Sequence, residues 1–282
     1  MNVSMIIESL MLTDWSLISV AIGLFIGLVL ALTGAGGSIL AIPLLMLGLH
    51  LSLQQAAPIA LLAVLLAAII GTIQGLYKNT VRYRTALLIA SFGVAFAPLG
   101  VWVAAQLPSY ILSLIFAAVM LYVAWHMWQQ SNSSQITQKN LPDMPCMVNK
   151  ITSRLYWTAA CTRRLVATGL FAGLISGLLG VGGGFVIVPS LRKVSNFTMQ
   201  TVVATSLMVV SIVSIVSIVS YNFAAPLQWA IAIPFVLSTI VGLLIGSQFS
   251  HKVPTKISQR GFAILAILAA LMLIVGFKRF CA

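Results

Sequence analysis

The chain is a succession of long apolar runs separated by short polar connections, with one long polar connection in the middle. The runs cover Trp15 to Leu32, Ser38 to Leu49, and then about 54–76, 85–106 and 109–128. Beyond a stretch rich in Ser, Asn and Gln at 129–163, they resume at 164–179, Phe185 to Leu191, and about 198–221, 227–249 and 257–277. A helix of about 20 apolar residues crosses a hydrocarbon core of roughly 30 Å. The pattern therefore predicts an all-α, polytopic integral membrane protein of about eight hydrophobic segments, four to each half. Residues 1–14 read as a short amphipathic lead-in. No basic region precedes the first run and no small-residue cleavage site follows it, so that run reads as a span and not as a leader.

The two halves are copies. Gly23 to Leu45 (GLFIGLVLALTGAGGSILAIPLL) and Gly169 to Leu191 (GLFAGLISGLLGVGGGFVIVPSL) align without a gap at an offset of 146, with 11 of 23 positions identical. Each copy is an apolar run broken by clustered glycines and followed by a second run containing a proline, Pro43 or Pro189. The expected organisation is a first membrane repeat at 15–128, a polar linker at 129–163, and a second repeat at 164–277. Duplicated, glycine-interrupted membrane segments point to a transporter with its site between two repeats.

Composition narrows the chemistry. Hydrophobic residues make up 61% of the chain and charged ones 6%, which excludes a soluble globule. The net charge of +12 would suggest nucleic acid in a soluble protein, but here the 15 basic residues sit between apolar runs and no basic domain exists. Only three carboxylates occur: Glu8, Asp14 and Asp143, all outside the apolar runs. Proton relays and cation sites in membranes usually need a buried Asp or Glu, so a naked cation is a poor substrate for this chain. The three cysteines form no CxxC and no metal-ligand spacing with the three histidines. No metal or cofactor is expected.

The basic residues also test orientation. If each half crosses four times, they split 10 to 5 between the two sides. If each glycine-broken element instead goes in and returns, each half crosses an odd number of times and the split becomes 13 to 2. The positive-inside rule favours the second arrangement, with the halves inverted, the linker cytoplasmic and both termini outside. Lys278 and Arg279 are then the exceptions.

A break inside a membrane helix leaves backbone groups unpaired, which is tolerated only against protein or a water-filled cavity. Glycine admits positive φ and close ligand approach, and the half-helix beyond the break turns N–H groups and a positive dipole end toward an anion. The candidate substrate-binding residues are Thr33, Gly34, Gly36, Gly37 and Ser38 in the first copy. In the second they are Gly180, Gly182, Gly183 and Gly184. Ser38 reads as a cap and hydroxyl donor. Pro43 and Pro189 read as too deep for a first helical turn, and so as kinks. The same offset pairs Gln54 with Gln200, which suit either interhelical hydrogen bonding or a cavity wall. Thr205 and Ser206 could donate to an oxyanion or bond back to their own helix. Gly23, Gly27, Gly169 and Gly173 have the GxxxG spacing of packing glycines, and the serine run Ser211 to Ser220 reads as a packing surface. His126, between Trp125 and Trp128, fits an interfacial aromatic belt.

With its duplicated GLxxxxxGxGG…P element, followed by Gln and the Ala204-Thr205-Ser206-Leu207 segment, the chain resembles the TauE/SafE family of sulfite exporters. The resemblance implies a bacterial inner-membrane transporter of sulfur-containing oxyanions such as sulfite, thiosulfate or organosulfonates. Pro58 and Ala60 stand in the first copy where the second has Ala204 and Ser206, so the copies need not contact a ligand equally. The expected mechanism is alternating access around the two glycine elements, with a small anion and the lipid bilayer as partners. A passive anion channel is the alternative; it would need a continuous polar lining, and only the serine run approaches one. An intramembrane enzyme lacks its cluster, since no HExxH or DxxD occurs. The sequence does not give an oligomeric state.

Overall fold

A computed structural model describes residues 3–33, 39–49, 51–132, 146, 158–195, 197–222, 228–249 and 255–280. They form ten helices: α1 (Val3–Thr33), α2 (Ala41–Leu49), α3 (Leu53–Tyr77), α4 (Tyr83–Gln106), α5 (Ser109–Asn132), α6 (Ala159–Leu179), α7 (Gly184–Val194), α8 (Met199–Asn222), α9 (Trp229–Phe249) and α10 (Thr255–Phe280). Six of these (α3, α4, α5, α6, α8 and α9) hold stretches long and apolar enough to cross a membrane. Shorter apolar stretches, Leu17–Ala31 and Arg260–Leu273, lie in α1 and α10. Large apolar side chains on the outer helices, among them Leu99, Trp102, Ile233, Leu237, Leu268 and Met272, are exposed. So much exposed apolar surface is stable only in lipid.

Two expectations are corrected. The lead-in does not stand apart from the first span: α1 begins at Val3, because residues 3–14 contain no glycine or proline to end a helix. Pro43 is not deep in its helix but third in α2, within the first turn, where a missing N–H goes unneeded. Pro189 does lie inside α7.

α3 and α8 are the most buried spans and pack against each other. Leu207 fills the space beside Gly71, and Ala204 the space beside Gly75, so the two helices run antiparallel. Around them the 146-residue offset reappears in the packing. α6 packs on α4 with Gly169 against Ile89 and Gly173 against Gly93. Subtracting 146 from one partner and adding it to the other gives Gly23 against Phe235 and Gly27 against Thr239, which are contacts of α1 with α9. In both pairs the helices run parallel. These four glycines let backbones touch directly, the packing role their spacing suggests.

Both short helices turn back. Gly183 returns to the level of Ala172 on α6, and Gly48 in α2 lies against Ile18 and Ile22 of α1. At the far end of α7, the Cys146 N–H donates to the Val194 carbonyl (3.2 Å) while Cys146 is joined by a disulfide to Cys161 near the start of α6. Linker, α6 and α7 are thereby tied at one point. Cysteine spacing alone gave no sign of this pairing.

Candidate functional site

The break between α6 and α7 is built by glycine at each step. α6 is capped at its start by Thr158, whose hydroxyl accepts from the Cys161 N–H (3.2 Å). It ends at Gly180, which adopts a left-handed φ of +70° and donates its N–H to the Ser176 carbonyl (2.9 Å). Gly182 (φ +71°) and Gly183 (φ +67°) are left-handed too. Three such residues within four reverse the chain in a space that side chains would fill. A Cβ on Gly180 would strike Ala57, and one on Gly183 would strike the Ala172 carbonyl. α7 then starts at Gly184. The Val186 and Ile187 N–H groups bond back to Gly183 (3.1 and 3.4 Å), while those of Gly184 and Phe185 lie at the open end of the helix.

Gly182 marks the centre. A Cβ there would lie 3.0 Å from Val210, 3.1 Å from the Ser214 hydroxyl and 3.2 Å from Val64. Val64 and Val210 are each other's equivalents in the two copies, and Val64 stands midway along α3. The break therefore reaches the point where equivalent helices cross. Ser214 is fully buried, and among the described residues its hydroxyl is the one buried side-chain polar atom without a hydrogen-bond partner. Orphaned buried hydroxyls are uncommon, and each calls for a partner such as a ligand, an ion or a water.

The other serines of that run are occupied. Ser211 donates to the Met208 carbonyl, Ser220 to that of Val216, and Ser217 pairs with Ser176 on α6 (3.4 Å). The packing role expected of the run holds for Ser217, and Ser214 departs from it. Nothing in the sequence distinguished Ser214 from its neighbours except its equivalent in the first copy, Ala68.

The remaining candidates are dispersed. Gly34, Gly36, Gly37 and Ser38 lie outside the described residues. Thr33, at the end of α1, is buried and donates its hydroxyl to the Val29 carbonyl (2.7 Å). Gln54 is half-buried in the first turn of α3. Gln200 is exposed, on the wall of a separate cavity of about 190 Å³ shared with Gln74, Lys78 and Thr80. The Thr205 hydroxyl accepts from the Arg82 N–H (3.1 Å), and Ser206 donates to the Val203 carbonyl (2.8 Å). A larger cavity of about 610 Å³ lies between α5, α6 and α7; its wall is mostly apolar, with Tyr122, His126, Thr168 and Ser190 as its polar side chains. Of the sequence candidates, the structure gathers Gly180, Gly182, Gly183 and Gly184, and adds Ser214.

The sulfite exporter TauE/SafE family matches residues 19–273, a span that includes the glycine-rich elements of both copies. This chain belongs to the TauE/SafE family. It is 27% identical over 280 residues to a probable membrane transporter protein of Xylella fastidiosa (strain 9a5c), covering 96% of this chain and 97% of that one. It is 22% identical to the probable membrane transporter protein YunE of Bacillus subtilis, over 92% of this chain and 95% of the other. It is 23% identical to the probable membrane transporter protein MJ0441 of Methanocaldococcus jannaschii, over 83% and 87%. No solved structure matches the chain significantly. As a TauE/SafE protein it is a multi-pass membrane transporter.

Proposed function

We propose that this TauE/SafE protein carries small anions across a bacterial inner membrane by alternating access, with sulfur-containing oxyanions such as sulfite, thiosulfate or organosulfonates as substrates. The observation that carries the anion is the Gly180–Gly184 break, which brings a helix N-terminus and the unpartnered Ser214 hydroxyl to the crossing of α3 and α8. Sulfur enters from the family alone. A channel would need a polar path through the bundle, whereas the described surroundings of Gly182 are Val64, Val210 and the single hydroxyl of Ser214. The test is counterflow of labelled sulfite into proteoliposomes preloaded with unlabelled sulfite. Accumulation that depends on the preload is expected; flux without dependence on it would indicate a channel.

The repeats at 15–128 and 164–277 are read as inverted copies about an axis in the membrane plane, each with one glycine-broken element that goes in and returns and three further crossing helices. The antiparallel course of α3 against its equivalent α8 supports this, because an axis along the membrane normal would leave equivalent helices parallel. The basic residues, split 13 to 2, put the linker at 129–163 in the cytoplasm. The Cys146–Cys161 disulfide argues the other way, since disulfides persist mainly in oxidising compartments. Thirteen charges outweigh one bond that reducing conditions can open. Tags inserted at residue 52 and residue 194 are expected to report opposite sides of the membrane; the same side would refute inversion.

A further inference from the structure

We propose that the protein carries its substrate as a monoanion, held beside Gly182 by neutral donors that include the Ser214 hydroxyl, and that dianions are rejected. The inference rests on the reading of the glycine break as an anion site and adds the charge state of what enters it.

The argument is one of charge balance. No Lys or Arg occurs at 1–77, 85–138, 165–191 or 194–251, so among the described residues the cations stand at or near helix ends. Thr205, which receives the Arg82 N–H, is nine residues from Ser214 along α8, about 13 Å at the helical rise. Arg192 is eight residues beyond Gly184 along α7, about 12 Å away. The titratable groups on the elements packed around Gly182 are Tyr77 on α3, Arg163 and Arg164 on α6, Arg192 and Lys193 on α7, and Tyr221 on α8. Cys161 on α6 is disulfide-bonded. All stand at helix ends, Tyr221 included, and the Tyr221 hydroxyl donates to the Leu178 carbonyl (3.4 Å). What remains at the break is a dipole end, backbone N–H groups and one hydroxyl, between Val64 and Val210.

The cost of drying an ion rises with the square of its charge, while the return from neutral donors rises only in proportion to charge. A site without a cation thus penalises the second charge far more than the first. Sulfite discriminates well because it changes between hydrogen sulfite and the dianion near neutral pH. Methanesulfonate keeps one charge and sulfate two throughout that range.

The experiment is counterflow in proteoliposomes with the same pH inside and out, using labelled sulfite and, in parallel, labelled methanesulfonate, each competed by unlabelled sulfite, methanesulfonate and sulfate. Above its second ionisation, sulfite is expected to lose potency about tenfold per pH unit. Methanesulfonate is expected to keep a flat profile, and sulfate to compete at least about a hundredfold more weakly than either monoanion at its best. Ser214→Ala is expected to raise half-saturation roughly tenfold with little change in maximal rate, as for the loss of one hydrogen bond to a charged ligand. Alanine suits the helix there, as it stands at the equivalent position, Ala68. Sulfate competing as well as methanesulfonate, or fully ionised sulfite as well as hydrogen sulfite, would overturn the monoanion. Unchanged half-saturation in Ser214→Ala would remove the hydroxyl from the site. Absence of flux with either label, in protein that is folded and inserted, would overturn the anion reading beneath both.

Discussion

Gly182→Val is expected to abolish counterflow while leaving the protein in the membrane at near-normal levels. The residue has φ +71°, where an L side chain costs about 1–2 kcal/mol before it touches anything. Its Cβ would stand 3.0 Å from Val210, 3.1 Å from Ser214 and 3.2 Å from Val64, and two further methyls have no room among them. On the proposed reading, the gap they would occupy is the anion's approach to the backbone donors and to the Ser214 hydroxyl. Insertion depends on the hydropathy of the spans, which valine does not lower. Gly182→Ala should give a partial loss, because its one methyl meets side chains that can shift by tenths of an ångström. Gly261→Val is the control: it is an exposed position on α10 with nothing within 4 Å, so flux should be unchanged. Membrane levels by immunoblot, together with counterflow rates, check all three. Normal flux in Gly182→Val would place the substrate elsewhere.

The glycine break was legible in the sequence because it is a local property. A cluster of residues without side chains inside an apolar run has few uses, and the left-handed φ values of Gly180, Gly182 and Gly183 are such a use. The packing of Gly23, Gly27, Gly169 and Gly173 was legible for the same reason, from spacing alone. Ser214 was not. Its distinction is the absence of a partner, and that depends on what α3, α6 and α7 bring to the same level of the bundle. Nor could the sequence separate Thr205 from Ser214: both are hydroxyls on α8, yet one is occupied by Arg82 across a gap of 123 positions. The amphipathic character of residues 1–14 sets them apart from the first span in sequence, yet without a breaker α1 runs on unbroken from Val3. The disulfide partners lie 15 residues apart across a linker whose path no local pattern encodes.

Gly173→Leu is expected to remove the folded protein altogether, the opposite outcome to a change at Gly182. Gly173 packs on Gly93 backbone to backbone, and any Cβ on it would come within 2.6 Å of the Gly93 Cα and 2.8 Å of its carbonyl carbon. No rotamer relieves a clash with main chain, so α4 and α6 must separate along their whole contact. Overpacking a core costs about 1–3 kcal/mol even where side chains can adjust. Here the facing contacts of Gly169 with Ile89 and Gly177 with Ala97 open as well. Within lipid no hydrophobic gain returns when helices part, and close packing is what held them. Gly93→Ala should be milder, since its nearest neighbour is the Val213 side chain, 2.7 Å away and able to move. The measurement is the monodisperse fraction after mild heating of detergent-solubilised protein, expected in the order wild type, Gly93→Ala, Gly173→Leu. Wild-type stability in Gly173→Leu would mean that α4 and α6 do not meet at their backbones, and the same doubt would extend to α1 against α9, where the offset repeats the contact.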